Sequence, residues 1–523
     1  MQQLLLLSEY LSVPQKFIVL SGFVSLVLSL FFFYSEKKKL SVSFLVLFAF
    51  LTGLLMASLD PFLNIWDERF HALVAKNMMD HPFKPMLYKN PVIDMDYNNW
   101  DRYHIWLHKQ PLFLWQIALS FKIFGVTEFA LRLPNAILFA LVVYAAYRSG
   151  KLLAGERVGY IAGLLFISCY FILNLLAGRQ AVDHSDFSFM VYVSLSIWSL
   201  MEYTYSGKKY WVVWIGVFSG LAMLCKWVVG LLVYFVWFVF QVQGKRIRQL
   251  ITWPMVTSVF ITLLIALPWQ FYIFYKFPAE AALTYQYNLR HFHEALDGQT
   301  GQFFFHFSIF DLLYGSLSSF FLVPGFAALY KNSGSRKMVI ALISMFLIVY
   351  LFFSLATTKM PAYTIIVSLP VMLAFAALLD YTGSYIEKAG IPDIGKKIVL
   401  AVIVFLFIIV RFDFKSLKEH HFPWKDEYSY SSMLYYNRQI FKELDLPGNT
   451  VIFNVRGHHY IESMFYTGLT SYHMMPLEEH YHFLKEKGYG MALFKPVDQE
   501  LPEWMAGKTD IIIIDKVLRG YSD

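Results

Sequence analysis

The chain has 523 residues, of which 57% are hydrophobic, 19% aromatic and 15% charged, with a formal net charge of +7. A soluble domain needs about 25% charged residues to keep its surface in water, so the composition excludes a soluble globule and makes lipid the solvent for much of the surface. The positive excess lies in short clusters between apolar stretches, such as Lys37–Lys39 and Lys245–Arg248, a membrane-loop pattern that does not point to nucleic acid.

Residues 1–15 have neither a basic n-region nor a small-residue cleavage site, so no removed signal peptide is expected. Apolar stretches of spanning length, roughly 17–25 residues, then recur along the chain. They lie near Phe17–Tyr34, Leu40–Leu59, Pro134–Ala154, Val158–Ala177, Phe187–Tyr203 and Tyr210–Lys226. Others lie near Val228–Gln243, Ile251–Tyr275, Asp311–Tyr330, Met338–Ala356, Ala362–Leu379 and Ile398–Phe412. They predict a polytopic α-helical membrane protein with about twelve transmembrane helices. The only two cysteines, Cys169 and Cys225, lie in or beside these stretches, so neither a disulfide framework nor a cysteine metal site is expected.

Lys37–Lys39, Arg148/Lys151/Arg157, Lys208–Lys209, Lys245–Arg248, Lys331/Arg336/Lys337 and Lys388/Lys396/Lys397 fall in alternate loops. Placing them in the cytoplasm leaves both termini, segment 60–133 and the loops around 178–186, 276–310 and 357–361 on the outer face. All fifteen histidines then lie outside, which short cytoplasmic loops explain equally well.

Beyond Phe412 the charge and turn content return to ordinary levels. The runs Val451–Val455, Met491–Phe494 and Ile511–Asp515 read as short buried strands, with helical sequence such as Pro476–Lys487 between them. They predict a small extracytoplasmic α/β domain with a partly parallel sheet. No glycine-rich phosphate loop follows a strand, so recognition or scaffolding is the expected role. The chain thus divides into a membrane part, residues 1–412, and a C-terminal domain, residues 413–523.

The outer loop 60–133 is not a plain linker. Residues 62–78 have helical spacing with one apolar face, as in a helix lying at the interface. Trp66, Trp100, Trp106 and Trp115 give the aromatic content expected at headgroup depth. Asp67 and Glu68 stand at the start of that helix, where acidic residues also suit the helix dipole with no catalytic role. His108-Lys109-Gln110-Pro111 follows, then Phe124-Gly125 and Arg132-Leu133-Pro134. An interfacial lysine alone is more often a snorkelling anchor than a site residue.

In order, acidic pair, interfacial helix, Lys-x-Pro, Phe-Gly and Arg-Leu-Pro resemble the first outer loop of the GT-C superfamily of membrane glycosyltransferases. The most similar branches are the protein O-mannosyltransferases and the bacterial aminoarabinose transferases that modify lipid A. The resemblance covers roughly residues 60–370. The segment from Arg179 to Asp186, with Asp183 and His184, resembles the second outer loop. Lys226-Trp227-Val-Val-Gly230 resembles a Lys-Gly-x-x-Gly element, with Trp227 in place of its first glycine. Pro268-Trp269 and Asn288-Leu-Arg290-His291-Phe292 resemble the loop that closes over the donor, and Lys359-Met-Pro361-Ala-Tyr363 resembles Lys-x-Pro-x-Tyr. Two positions depart from the pattern: Gln110 stands where a proline is common, and Phe70, beside Arg69, stands where the aminoarabinose transferases carry an arginine. No Trp-Trp-Asp motif is present, which disfavours the oligosaccharyltransferase branch, and nothing resembles the β-trefoil insertion of the eukaryotic protein mannosyltransferases.

The resemblance implies a GT-C fold in a bacterial inner membrane and transfer of a sugar, with inversion, from a polyprenyl-phosphate donor. The acceptor would be extracytoplasmic: lipid A, another envelope glycolipid or glycan, or protein. Such a reaction needs a carboxylate base for the acceptor hydroxyl and fixed cations for the leaving phosphate. Asp67 is the candidate base, with Glu68, Asp183 and Asp186 supporting it. Lys109, Lys359, Arg290, Lys226 and Arg69 are candidate phosphate ligands, and His108, Tyr363, Arg179 and Trp269 candidate substrate contacts. No divalent metal is required where lysines neutralise the phosphate; His108, His291 and His293 are the candidate zinc ligands otherwise. The main alternative is a secondary transporter or lipid flippase, which would tend to put ionisable residues at the midplane in repeated halves. A non-catalytic scaffold would leave the outer charge set unexplained.

Overall fold

The computed structural model describes residues 11–95, 102–182, 184–243, 250–387, 392–413, 429–496 and 500–520. Its first helices are α1 (Val13–Tyr34), α2 (Lys38–Leu59), α3 (Asp67–Met78), α4 (Pro111–Phe124), α5 (Glu128–Ala154), α6 (Glu156–Ile167) and α7 (Tyr170–Leu176). Next come α8 (Asp186–Ser206), α9 (Tyr210–Lys226), α10 (Leu232–Val242), α11 (Trp253–Lys276), α12 (Pro278–Arg290), α13 (Ser318–Asn332) and α14 (Arg336–Leu355). After them come α15 (Ser368–Glu387), α16 (Asp393–Arg411), α17 (Tyr430–Glu443), α18 (Tyr460–Thr467) and α19 (Glu478–Glu486). Three strands, β1 (Thr450–Phe453), β2 (Gly490–Phe494) and β3 (Ile511–Ile514), lie in the C-terminal segment.

The chain forms two compact units. The first holds Met1–Ser58, Lys109–Phe113 and Arg132–Phe414; the second holds Leu59–His108, Leu114–Leu131 and Lys415–Asp523. The break at residue 414 lies close to the composition change at Phe412, but most of the loop 60–133, grouped above with the membrane part, shares a unit with the C-terminal segment.

The first unit belongs to a multi-pass membrane protein. Among the described residues seven helical stretches are long and apolar enough to cross a bilayer, or eight if the pair α6 and α7, bent by 58°, counts as one span. That is fewer than the twelve expected, for identifiable reasons. The helix α8 carries five serines and is buried along most of its length. Surrounded by protein, it needs no lipid-facing side, and Ser196 and Ser199 donate to the carbonyls of Val193 and Leu195. Only 15 residues form α13, which contains Pro324, and α16 carries Asp393, Lys396, Lys397 and Arg411 near its ends.

The stretch Tyr210–Val242 counts as one apolar run, yet the chain turns back within it. Ser219 Oγ donates to the Gly230 carbonyl at 2.7 Å, whereas eleven residues of straight helix would hold them roughly 16 Å apart. Thus α9 and α10 are separate arms joined by a 3-10 turn, Trp227–Leu231. The face of α9 toward α11 is a Gly-x-x-x-Gly pair: a Cβ on Gly216 would lie 2.6 Å from the Ser258 carbonyl oxygen, and one on Gly220 would lie 2.8 Å from Ile265 Cβ. Without hydrophobic drive in lipid, such close backbone approach is what holds helices together.

The cluster Arg148/Lys151/Arg157 and the 331–337 loop meet at one end of this unit, in keeping with the alternate-loop pattern. Arg148 pairs with Glu202 at 2.6 Å, Lys151 with Glu156 at 2.6 Å and Arg157 with Asp380 at 3.5 Å. The Gly334 amide donates to the Leu153 carbonyl at 2.9 Å.

The second unit contains a fully parallel sheet in the order β1-β2-β3, with Val451 beside Met491 and Leu493 beside Ile513. Parallel neighbours need crossover connections, and α18 and α19 lie in the one from β1 to β2. Burial of all four β1 residues explains its unbroken apolar run. Segment 59–95 is tied to this domain by polar bonds: Lys76 Nζ donates to the Phe465 carbonyl at 2.6 Å, the Tyr466 hydroxyl accepts from the Leu63 amide at 3.1 Å, and Tyr472 accepts from Val92 and Ile93.

Candidate functional site

The site in the first unit is built on the turn between α9 and α10. Gly230 packs so closely there that a Cβ would come 2.5 Å from the Met223 amide nitrogen. Trp227 has φ 55 and ψ −138, a region open to glycine and costly for a side chain. Trp227 is therefore held in a strained conformation that a glycine would adopt freely. The turn presents Lys226, whose Nζ donates to Asp186 Oδ1 at 2.6 Å and Oδ2 at 2.8 Å. The same ammonium stands 4.4 Å above the Tyr363 ring. The Asp186 side chain is 2% exposed and that of Lys226 30%, so the pair forms a wall with only its cation reaching solvent.

Lys109 joins this group through His291. Burial first, and then the charges of Lys109 and Lys226, pull His291 down to about 4. Among the described residues its buried Nδ1 has no hydrogen-bond partner. Two lysines far apart in sequence thus raise the potential around one neutral imidazole. Helix geometry separates this end from the basic end: Asp186 begins α8 and Glu202 lies sixteen residues on, roughly 24 Å at helical rise, comparable with a hydrocarbon core of about 30 Å.

Lys359 lies beside this group, since the Thr358 amide donates to the His291 carbonyl at 3.0 Å, but its ammonium turns to its own chain. Its Nζ donates to the carbonyls of Phe353 at 2.9 Å, Ser354 at 2.7 Å and, closest, Ala356. It is 3% exposed and closes the C-terminus of α14, where carbonyls lack helical donors and attract a cation. Its charge acts on His306, a fully buried ring whose nitrogens have no hydrogen-bond partner among the described residues, held near 4 by burial and by Lys359. His306 stacks on Tyr363 at 6.4 Å.

The other candidates divide. Arg290 forms an exposed pair with Glu294 at 2.7 Å, and His293 is exposed. Arg179 is half-buried, and Trp269 is buried against Tyr272 at 5.7 Å. Asp183 lies outside the described residues. Gln110, the departure from proline, accepts from Gln270 Nε2 at 2.7 Å, and Tyr285 donates to Gln270. That amide chain was not anticipated; its signal was a glutamine in each of two otherwise apolar segments.

Asp67, Glu68 and Arg69 belong to the second unit, all buried at the start of α3. Glu68 Oε2 accepts from the Asn64 amide at 2.6 Å, and Asn64 Nδ2 reaches Asp60 at 3.4 Å. The Arg69 guanidinium lies 4.6 Å from the Trp66 ring centre. Asp60, also buried, adds a third acid that sequence reasoning missed, although an aspartate directly after an apolar span was the available signal. His108 lies 5.5 Å from the Trp106 ring in this unit, while His291 and His293 lie in the first. Among the described residues no group of three His, Cys, Asp or Glu side chains is arranged to hold a metal ion.

A family model described as dolichyl-phosphate-mannose-protein mannosyltransferase matches residues 108–272. An uncharacterized protein of Aquifex aeolicus is 24% identical over 66% of this chain and 64% of its own length. The undecaprenyl phosphate-alpha-4-amino-4-deoxy-L-arabinose arabinosyl transferase 2 of Pseudomonas fluorescens is 26% identical over 51% of this chain and 46% of its own length. The chain therefore covers less than two thirds of either relative. The crystal structure of ArnT from Cupriavidus metallidurans bound to undecaprenyl phosphate superposes over 85% of this chain and 88% of that one, with TM-score 0.56 and 14% identity. The chain shares the fold of the ArnT structures.

Proposed function

We propose that the protein is a membrane glycosyltransferase that takes its sugar from a polyprenyl-phosphate carrier, with Lys226 and Lys109 as the phosphate-binding cations. The observation that carries this reading is that the charges of both lysines act on His291, with Lys226 held by Asp186 at 2.6 Å. A lipid-linked phosphate is an anion delivered at membrane-interface depth, where fixed cations stabilise its charge. The similarity to a fold solved with undecaprenyl phosphate supports the donor class.

In the reaction the acceptor hydroxyl attacks the anomeric carbon, the bond from that carbon to the phosphate oxygen breaks, and the proton passes to a carboxylate. We assign that base to Asp67, from its place in the acidic pair of the outer loop. Lys226 and Lys109 stabilise the charge that builds on the leaving phosphate, each as a point charge. No step requires a metal. We assign the lysine-bearing end to the extracytoplasmic side of a bacterial inner membrane, where a lipid, glycan or protein would be the acceptor.

Binding of undecaprenyl phosphate to purified protein tests this reading. Lys226→Ala and Lys109→Ala should each weaken it by about 10- to 150-fold, since a charge-assisted contact contributes about 1.5–3 kcal/mol. Unchanged affinity in both variants would defeat it.

A further inference from the structure

The end of the first unit that carries the Lys/Arg clusters holds a cavity of about 1090 Å³ between α1, α6, α15 and α16. Its depth is apolar, lined by Leu30, Leu164, Leu400 and Phe405, and its mouth is charged. Such a split, dry below and ionic above, matches one lipid molecule standing in its leaflet.

The charges at the mouth specify the headgroup. Lys38 pairs with Glu36 at 3.0 Å, Arg157 with Asp380 at 3.5 Å and Lys396 with Asp393 at 3.4 Å. Glu156 also lines the cavity, but Lys151, which does not, neutralises it at 2.6 Å. Lys397 remains: among the described residues its recorded contact is the Tyr34 ring at 5.7 Å, and no carboxylate lies within ion-pair distance. The mouth therefore carries one surplus positive charge. From this surplus and the apolar depth, we infer that the cavity is a binding site for a glycerophospholipid of single net negative charge, its phosphodiester against Lys397 and Arg157 and its acyl chains between α1 and α16. A zwitterionic phospholipid would leave Lys397 uncompensated, and a phosphomonoester, at about −1.5 to −2, would overcharge the mouth. The bound lipid ties α16, the last helix before the C-terminal segment, to α1 and α6.

Native mass spectrometry of the full chain in detergent, titrated with dioleoylphosphatidylglycerol, dioleoylphosphatidylethanolamine or undecaprenyl phosphate, tests this. The wild type should retain one phosphatidylglycerol at several-fold lower concentration than phosphatidylethanolamine. Lys397→Gln should erase that preference, Ala401→Trp should lower occupancy by both phospholipids, and Lys337→Glu, on the same end but outside the cavity, should change nothing. Equal retention of both phospholipids by the wild type would overturn the proposal. So would a Lys397→Gln protein that keeps the preference, or tighter retention of undecaprenyl phosphate than of phosphatidylglycerol.

Discussion

Lys226 and Asp186, forty residues apart in sequence, meet with both carboxylate oxygens within 2.8 Å of the ammonium. Because Asp186 is the more deeply buried partner, removing Lys226 strands a carboxylate away from water, which costs about 3–5 kcal/mol. Lys226→Met should therefore lower the thermal midpoint markedly, and adding Asp186→Asn should restore most of it. The double variant should still bind undecaprenyl phosphate poorly. Recovery of binding along with stability would mean that the lysine is structural only.

Lys359 separates the two roles in the other direction. Its ammonium serves the last carbonyls of α14, so Lys359→Met should cost stability and leave affinity for undecaprenyl phosphate within about twofold of wild type, well short of the tenfold that 1.4 kcal/mol would bring. Thermal unfolding and lipid titration on one preparation check both halves. A large loss of affinity at unchanged stability would return Lys359 to the phosphate site.

The two buried histidines make stability depend on pH. His291 and His306 are held down to about 4, against an ordinary value of 6.5. Between pH 6.5 and about 4 the unfolded chain binds more protons than the folded one, so stability is fully present above 6.5 and falls as pH is lowered through that window. His306→Phe removes a buried ring that resists protonation and should flatten part of this slope while raising the midpoint at pH 5. Midpoints measured at pH 5 and 7.5 decide it; an unchanged slope would show that His306 is not one of the groups responsible.

Asp67→Asn keeps the shape of the side chain and removes its capacity to take a proton. Transfer should fall by about 10²–10⁴-fold, with undecaprenyl phosphate binding intact. Near-normal turnover would move the base elsewhere, with Asp60, Glu68 and Asp186 next in line.

Much of this architecture was legible in residue order. The three strands of the second unit stood out because each is an apolar run of four or five residues between turns, as buried parallel strands must be. The fold shared with the ArnT structures was legible because the motif elements occur in sequence along one predicted face. What escaped was pairing at a distance. Nothing local to Asp186 announces Lys226, and nothing in Lys359-Met-Pro361 says that the ammonium turns back onto its own helix, although a lysine four residues beyond a helix end is a familiar cap. The span count exceeded what length and hydropathy support because buried α8 and short α13 look like spans in a one-dimensional reading. The positive φ of Trp227 was not visible in sequence either, and it makes the tryptophan costly where a glycine would be at ease.

We propose above all that this protein transfers a sugar from a lipid phosphate. Purified protein in proteoliposomes, supplied with undecaprenyl-phosphate carrying a radiolabelled sugar and an envelope lipid or glycan extract as acceptor, tests it directly. The account predicts label moving to an acceptor with stoichiometric release of undecaprenyl phosphate, abolished by Asp67→Asn and sharply reduced by Lys226→Ala. Label that stays on the carrier across a panel of sugars, with the carrier itself merely moved between leaflets, would contradict it.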